Sequence, residues 1–197
     1  MRVWWCALAL IAAPVSAAAE LGYTQKVGAG ETVIDTRPLA ECRQASLPRA
    51  RCLPAADFLG PRRQLPSERD LLWLFGTAGL SGEEAVLVVG DSATARDFVA
   101  GLLYLAGQRQ VRVLTLPLAP LLAQRQDAAP GMERGMVRSA VFTAPMRDHL
   151  WIVARHEIGP DAILAHDAYT AINRFTRHVA SGGQPLRVGW GLAKEPR

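Results

Sequence analysis

The residues best placed for chemistry lie in one short loop that follows a continuous apolar run. The run, residues 85–89, reads Ala-Val-Leu-Val-Val and is typical of a buried parallel strand. Ligands of parallel sheets bind at the carboxyl ends of strands, so the segment after this run is the default position for a site. It offers a carboxylate, two hydroxyls and a guanidinium, and consists of Asp91, Ser92, Ala93, Thr94, Ala95 and Arg96.

For two reactions that this loop could perform, the sequence lacks the additional catalytic residues that they require. Asp91 could serve as the nucleophile of a phosphoryl transfer, but no second carboxylate and no phosphate-binding loop accompany it. Ser92 has no neighbouring histidine that could act as its base, and a lone serine in a turn is usually a turn residue. We therefore expect neither reaction.

Cysteines and histidines are the other candidates for chemistry. Beyond residue 19, Cys42 and Cys52 are the only thiols, and they are expected either to form a disulfide or to be buried independently. The histidines lie in the last third of the chain without a close ligand spacing, which favours exposed or singly bonded side chains over a metal site. They are His149, His156, His166 and His178. No metal and no cofactor are predicted.

The elements around the loop alternate between strand and helix. Ser67, with Asp70 three residues later, has the arrangement of a capping box and predicts the start of a helix. Short links between alternating strands and helices predict an α/β fold, with a parallel sheet covered by helices on both faces. Strands are predicted near 32–35, 50–53, 85–89 and 111–114, and helices near 38–44, 67–76 and 95–106.

The order and spacing of these segments resemble the rhodanese family over roughly residues 25–125. The first strand, 33–37, is similar to the opening strand of that family because it ends in Asp-x-Arg, here Asp35 and Arg37. Residues 71–89 resemble the helix, Ala-Gly-Leu turn and central strand of the family. Residues 45–54 are similar to its Gly-His-Ile-Pro-Gly-Ala-x-x-Leu-Pro segment, without the glycines and the histidine but with Leu47, Pro48, Ala50, Leu53 and Pro54 in register.

The loop departs from the family where the resemblance places the nucleophile. Active rhodaneses continue with Cys-x-x-Gly-x-Arg, in which the cysteine carries sulfur as a persulfide and the loop holds an anionic donor. Here Asp91 stands at the cysteine position, Thr94 replaces the glycine and Arg96 is retained. A carboxylate cannot form a persulfide. It also places a negative charge in a loop that would bind an anion, and the two like charges repel each other. The resemblance therefore implies a degenerate loop without catalytic residues.

Internal roles are expected for the charged residues of this site. Asp91 should accept hydrogen bonds from loop or helix N–H groups, while Arg96 should pair with Asp91 or face solvent. Asp35 and Arg37 are expected to form a structural pair in preference to a ligand site. Four residues stay candidates for ligand binding: Arg37, Ser92, Thr94 and Arg96.

Residues 1–19 have the three-part layout of a secretory signal peptide. A positive start is followed by an apolar stretch, residues 3–14, and by small residues suited to cleavage. The stretch is too short to anchor the chain in a bilayer, and it lacks the amphipathic pattern of a buried helix. We therefore expect a periplasmic or secreted protein whose mature chain begins near Glu20 and has no membrane span.

Composition narrows the possible classes of protein and of binding partner. A chain of 197 residues that is 50% apolar can bury a core, which excludes a disordered protein and fits one domain with an appendage. The net charge of +4 is spread along the sequence without a basic cluster, so nucleic acid is not an expected partner.

The C-terminal third is predicted to be an extension of the first domain. Residues 126–139 are polar with proline and glycine and are predicted as a linker. Within 140–197, a hairpin of 140–143 with 150–153 is predicted, followed by a strand–helix–strand unit over 162–190. This unit is similar to residues 86–114, either as a degenerate half-repeat packed on the first domain or by chance.

Three functions are consistent with the sequence. The favoured one is an exported, catalytically silent rhodanese-like module that binds a periplasmic protein or a small anionic ligand. The alternative is a periplasmic sulfurtransferase or sulfur carrier that uses a relocated cysteine, Cys42 or Cys52. The third is a different α/β enzyme that uses carboxylates and histidines, with Asp91, His166 and His178 as its best constellation.

Overall fold

The computed structural model describes residues 20–191, in which a five-stranded parallel sheet is the central element. Its strands are β1 (Glu20–Thr24), β2 (Thr32–Asp35), β3 (Arg51–Cys52), β4 (Ala85–Val89) and β5 (Gln110–Leu114). Their order across the sheet is β1-β5-β4-β2-β3, and every neighbouring pair is parallel. A second, two-stranded parallel sheet pairs β6 (Ile163–Ala165) with β7 (Val188–Trp190). The predicted signal peptide lies outside the described residues.

Within residues 20–191, five α-helices connect and cover these strands. They are α1 (Leu39–Gln44), α2 (Glu68–Thr77), α3 (Ala93–Leu105), α4 (Leu118–Ala123) and α5 (Ala168–Ala180). Ser67 caps α2 and accepts a hydrogen bond from the backbone of Asp70, as predicted. Single 3-10 turns lie at Ala55–Phe58, Pro61–Arg63, Arg134–Met136, Asp148–Leu150 and Arg155–Glu157. None of the helices in the described part is long and apolar enough to span a membrane.

The alternation of side chains along β4 divides the core into two parts. Val86 and Val88 belong to the larger cluster, together with residues of α2, α3 and α5. Leu87 and Val89 belong to the smaller cluster, where Leu118 of α4 packs. Successive side chains of a strand point to opposite faces, so an entirely apolar strand must be covered on both. The predicted parallel sheet with helices on both faces is confirmed.

The predicted C-terminal strand–helix–strand unit is present and packs on the first unit through α5. Gly101 of α3 allows close approach, because a Cβ at this position would lie 2.2 Å from Thr176 Oγ1 and 2.6 Å from Ile172 Cγ2. The Thr176 hydroxyl also donates to the backbone carbonyl of Asp97 at 2.8 Å. The last third is therefore joined to the first by direct helix–helix contact.

The hairpin predicted for 140–143 and 150–153 is wrong. Neither segment is a strand, because their backbone groups bond to other parts of the chain. The Ala140 N–H donates to the carbonyl of Gly76 at the end of α2, and the Ile152 N–H donates to that of Val188 in β7.

Residues 126–139, predicted as a linker, run along the outer edge of β3. The N–H of Met132 donates to the carbonyl of Ala50, and the N–H of Cys52 donates to that of Met132. Ser46 and Ala129 form a second, antiparallel bridge. These bonds occupy backbone groups that an edge strand would otherwise expose.

Candidate functional site

A glycine allows the loop after β4 to pack closely against the end of β2. Gly90 has φ +153°, and a Cβ on it would lie 2.4 Å from the Thr36 hydroxyl oxygen. Thr36 follows β2, and its hydroxyl donates to the carbonyl of Val89 at 2.9 Å. A side chain at position 90 would therefore separate two neighbouring strand ends.

Asp91 caps the helix that begins 27 residues later in the sequence. Its Oδ1 accepts from the N–H of Ala119, in the first turn of α4, at 2.6 Å. Its Oδ2 lies 3.8 Å from Nη1 of Arg37, and the side chain is 37% exposed. The N–H of Leu118 also donates to the carbonyl of Gly90. Asp91 thus accepts a helix N–H group, as expected, and the group belongs to α4.

Arg96 is turned into the protein and holds backbone carbonyls. It is 3% exposed, with Nη1 donating to the carbonyl of Gly90 and Nη2 to that of Thr115 at 3.1 Å. Burial lowers its pKa, against the charges of Asp97 and Asp91. The structure thus gives Arg96 a third role, different from the ion pair with Asp91 and from the solvent exposure that the sequence suggested. It ties the end of β4 to the end of β5.

Arg37 is the charged partner of Asp91, and it is also paired with Asp35. Asp35 is fully buried and receives Nε and Nη2 of Arg37, the latter at 2.7 Å, together with the hydroxyl of Ser46 at 2.7 Å. A further bond runs from Nη2 to the carbonyl of Ala45. Burial alone would lower the pKa of Arg37, but hydrogen bonds and charge from Asp35, with the charge of Asp91, raise it. The expected structural pair is present.

The remaining loop residues form the exposed start of α3. Ser92 is its N-cap and accepts from the N–H of Ala95, while its hydroxyl lies 3.0 Å from that of Thr94. Asp91, Ser92, Ala93 and Thr94 are all exposed. First-turn N–H groups have no acceptor within a helix, so those of Ala93 and Thr94 are available to a partner.

A buried carboxylate next to Arg96 was missed by the sequence reasoning. Asp97 is 5% exposed and accepts from the hydroxyl of Tyr23 in β1 at 3.0 Å. Burial raises the pKa of Asp97, more than the Tyr23 bond and the charges of Arg177 and Arg96 lower it. Only the fold brings β1 beside α3, so nothing local in the sequence marks this residue.

Cys42 and Cys52 form a disulfide, with their Cα atoms 5.8 Å apart. Their side chains are 0% and 1% exposed. A Cβ on Gly131 would lie 2.4 Å from the Cys42 sulfur and 2.8 Å from the Cys52 sulfur, so this glycine packs directly on the bridge. In this form neither cysteine has a thiolate that could attack a sulfur donor.

The candidate pair His166 and His178 does not converge. His166 precedes α5 and pairs with Asp167, whereas His178 lies in the last turn of that helix and contacts the carbonyl of Gln184. At 1.5 Å per residue the two are separated by about 18 Å along the helix axis. Within residues 20–191, no three His, Cys, Asp or Glu side chains are grouped so that they could hold a metal ion. The constellation of Asp91, His166 and His178 is therefore not assembled.

A large cleft among the described residues lies away from the Asp91 loop. It has a volume of about 970 Å³ and is lined by Trp151, Trp190 and several charged residues of the C-terminal unit. Sequence reasoning missed it because its walls come from segments that are distant along the chain.

Comparison with known proteins gives matches among solved structures only. No protein-family model and no curated protein matches the sequence. The 3-mercaptopyruvate sulfotransferase SseA from Escherichia coli is 17% identical with a TM-score of 0.54, covering 78% of this chain and 66% of its own. YnjE is 19% identical with a TM-score of 0.51, and the match covers 69% of this chain and 35% of YnjE. A persulfide form of EanB with ergothioneine is 12% identical with a TM-score of 0.52, and the match covers 72% of this chain and 40% of EanB.

These matches identify the architecture. The chain spans between about a third and two thirds of the length of the three proteins, and the identities are too low to carry substrates or activities across. The parallel sheet, its helices and the structural neighbours agree with one another. The chain has the fold of the rhodanese sulfurtransferases.

Proposed function

We propose that this protein is an exported, catalytically silent rhodanese-fold module that binds a protein partner through the exposed start of α3. The observation that carries the proposal is the hydrogen bond from the Ala119 N–H to Asp91. At the position where the family resemblance expects a nucleophile, the chain has a carboxylate that caps a helix of its own fold.

The disulfide argues against sulfur transfer by another residue. Sulfur transfer needs an accessible thiolate, and Cys42 and Cys52 are buried and joined to each other. An oxidising compartment, as the predicted signal peptide implies, would favour this bonded form. The alternative of a relocated sulfur carrier is therefore the weaker of the two.

The arginines of the site favour a protein over a small anion. Arg37 is neutralised by the buried Asp35 and faces Asp91, while Arg96 is buried against backbone carbonyls. Neither guanidinium is free to hold a small anion. The loop instead presents the exposed hydroxyls of Ser92 and Thr94 on a backbone that is fixed from beneath, which suits contact with a partner surface.

The chemical half of the proposal is tested by mass spectrometry after incubation with thiosulfate. We expect the wild-type protein to gain no sulfur and to release no thiocyanate with cyanide. As a matched control, Asp91→Cys places a thiol beside Arg37 and the start of α3, where its pKa should fall, and this variant is expected to gain one sulfur. Persulfide on the wild-type protein would overturn catalytic silence. A variant that also stays unlabelled would show that more than Asp91 separates this loop from an active one.

The binding half is tested by capture from a periplasmic extract of the source cells. Ala93→Arg adds bulk to the exposed loop without changing the Ser92 cap, so it should abolish capture of the partner. Glu83→Arg is the control, because Glu83 precedes β4 and lies about 17 Å away, one strand length from the loop. Equal capture by wild type and by Ala93→Arg would remove the loop from the interface. N-terminal mass analysis of the purified protein, with a start near Glu20, tests export.

A further inference from the structure

The cleft of about 970 Å³ lies where the small sheet ends. The chain leaves β6 into His166 and leaves β7 into Gly191, and both residues line the cleft. Ligands of parallel strands bind beyond their carboxyl ends, and the volume is in the range of pockets that hold small organic molecules. None of the Asp91 loop residues lines it, so it is a site separate from the proposed protein interface.

Two indole rings give the cleft an aromatic wall. Trp151 and Trp190 lie edge to face, with their ring centroids 5.4 Å apart. On another side the cleft is lined by Leu65, Pro66 and Leu71, from the start of α2 and the segment before it. The flat or alkyl part of a ligand would bury its apolar surface against these residues.

Acidic groups outnumber basic ones around this wall. The two guanidiniums of the lining already have partners: Nη1 of Arg187 donates to the carbonyl of Glu157 at 2.9 Å, and Arg63 lies 4.7 Å from the centroid of the Tyr169 ring. Two carboxylates of the lining also have partners, since Glu157 accepts from the N–H of Val153 and Asp167 accepts from that of Thr170. The full set of carboxylates is Glu68, Asp148, Glu157 and Asp167. With four carboxylates against two guanidiniums, the cleft favours a positive ligand.

The helix end at the cleft does not reverse this preference. The N-terminus of α5 would attract an anion, but Asp167 caps it by accepting from the Thr170 N–H at 2.8 Å. The remaining ionisable side chains of the lining are His149 and His166, and His166 lies against the carboxylate of Asp167. The carboxylates of the lining outnumber its guanidiniums by four to two.

We propose that this cleft binds a small organic cation, with an ammonium group near the carboxylates and an apolar or aromatic group against Trp151 and Trp190. A cation over an indole ring is attracted by the ring's negative face, and the apolar walls increase this attraction by excluding water.

Calorimetric titration of the purified protein with benzyltrimethylammonium at about pH 8 tests the proposal. Benzenesulfonate is the matched probe, because it has the same ring and the opposite charge. We expect saturable binding of the cation, at least about tenfold tighter than that of the sulfonate, and weakened by added salt. Asp148→Asn should weaken cation binding by about threefold or more, since Asp148 is exposed at the cleft and its charge is lost. Trp190→Phe should weaken it as well.

Asp127→Asn serves as the control, because this exposed aspartate pairs with Arg125 and does not line the cleft. Its affinity for the cation should equal that of the wild type. The proposal is overturned if benzenesulfonate binds as tightly as the cation, if Asp148→Asn has no effect, or if no saturation is reached by about 10 mM. Persulfide formation and partner capture at the Asp91 loop are independent of this result.

Discussion

Replacing Asp91 with alanine should loosen α4 and lower the stability of the whole protein. The substitution removes the acceptor of the Ala119 N–H, and loss of a helix cap of this kind costs about 1 kcal/mol. It also removes a pair with Arg37 at 3.8 Å that is partly exposed to solvent and contributes at most about 1 kcal/mol. The sum is about 1–2 kcal/mol, which corresponds to a fall in Tm of about 2–8 °C for a chain of this size.

Amide hydrogen exchange measured residue by residue provides the local readout. Early N–H groups of a helix have no intrahelical acceptor, so protection of the Ala119 amide should depend on the Asp91 carboxylate. We expect Asp91→Ala to abolish that protection and Asp91→Asn to keep part of it, because an amide oxygen still accepts a hydrogen bond. The difference between aspartate and asparagine should shrink at high salt, since only the ion pair with Arg37 is screened.

Two results would refute this account of Asp91. One is an unchanged Tm for Asp91→Ala, and the other is a protected Ala119 amide in the same variant. Glu83→Ala is the matched control, because it removes a more exposed ion pair, with Arg109, and no helix cap. It should change the free energy of unfolding by less than about 0.5 kcal/mol.

Three further predictions concern the rest of the fold. Because burial raises the pKa of Asp97, the wild-type protein should lose stability as the pH rises from the ordinary aspartate pKa through that raised value. Asp97→Asn should escape this loss. In urea unfolding, the stability of the variant relative to the wild type should therefore be greater at about pH 8 than at about pH 4. Reduction of the Cys42–Cys52 bridge, which closes a short loop, should cost about 3 kcal/mol and lower the Tm by about 6–12 °C, whereas a double alanine variant should not respond to reductant. Gly101→Ala should cost about 1–3 kcal/mol by forcing α3 and α5 apart, and Gly22→Ala, with no atom within 4 Å of its Cβ, should be close to neutral in the same denaturation assay.

Local patterns were sufficient to predict the elements that carry the loop. The continuous apolar run of β4 and the cap that starts α2 depend on neighbouring residues, and both are where the sequence placed them. By contrast, β1 was missed, because Glu20–Thr24 is short and half polar and becomes a strand only by pairing with β5. The predicted hairpin failed for the opposite reason, since apolar runs near Phe142 and Ile152 found partners other than each other.

The site itself depends on contacts that local patterns do not contain. A sequence shows that Asp91 and Arg96 are five residues apart, but the two side chains have different partners on elements that follow much later. Asp91 bonds to α4, and Arg96 reaches the carbonyl of Thr115 after β5. Their roles follow from the tertiary arrangement of the strands and helices, which a pairwise charge argument does not capture.

The structure also bears on the predicted half-repeat, because the helix starts of its two loops can be compared directly. The sequence aligns Asp91 with Asp167, but in the structure Asp167 is itself the N-cap of α5, whereas Asp91 precedes Ser92, the N-cap of α3. The two loops are therefore offset by one residue at their helix starts. A common origin remains a prediction, and it would require a shift of one position in one of the two loops.

The electrostatics of the two proposed sites predict that they would recognise different partners. At the Asp91 loop, both guanidiniums are held by the protein itself: Arg37 by Asp35 and Asp91, and Arg96 by backbone carbonyls. A partner at the loop must then be selected by shape and by hydrogen bonds to hydroxyls, with little dependence on salt. The cleft at the ends of β6 and β7 has an excess of carboxylates, so its ligand should be selected by charge and lost at high salt. Salt titration of the two binding events in one protein would therefore separate them, and an equal salt dependence would contradict this division.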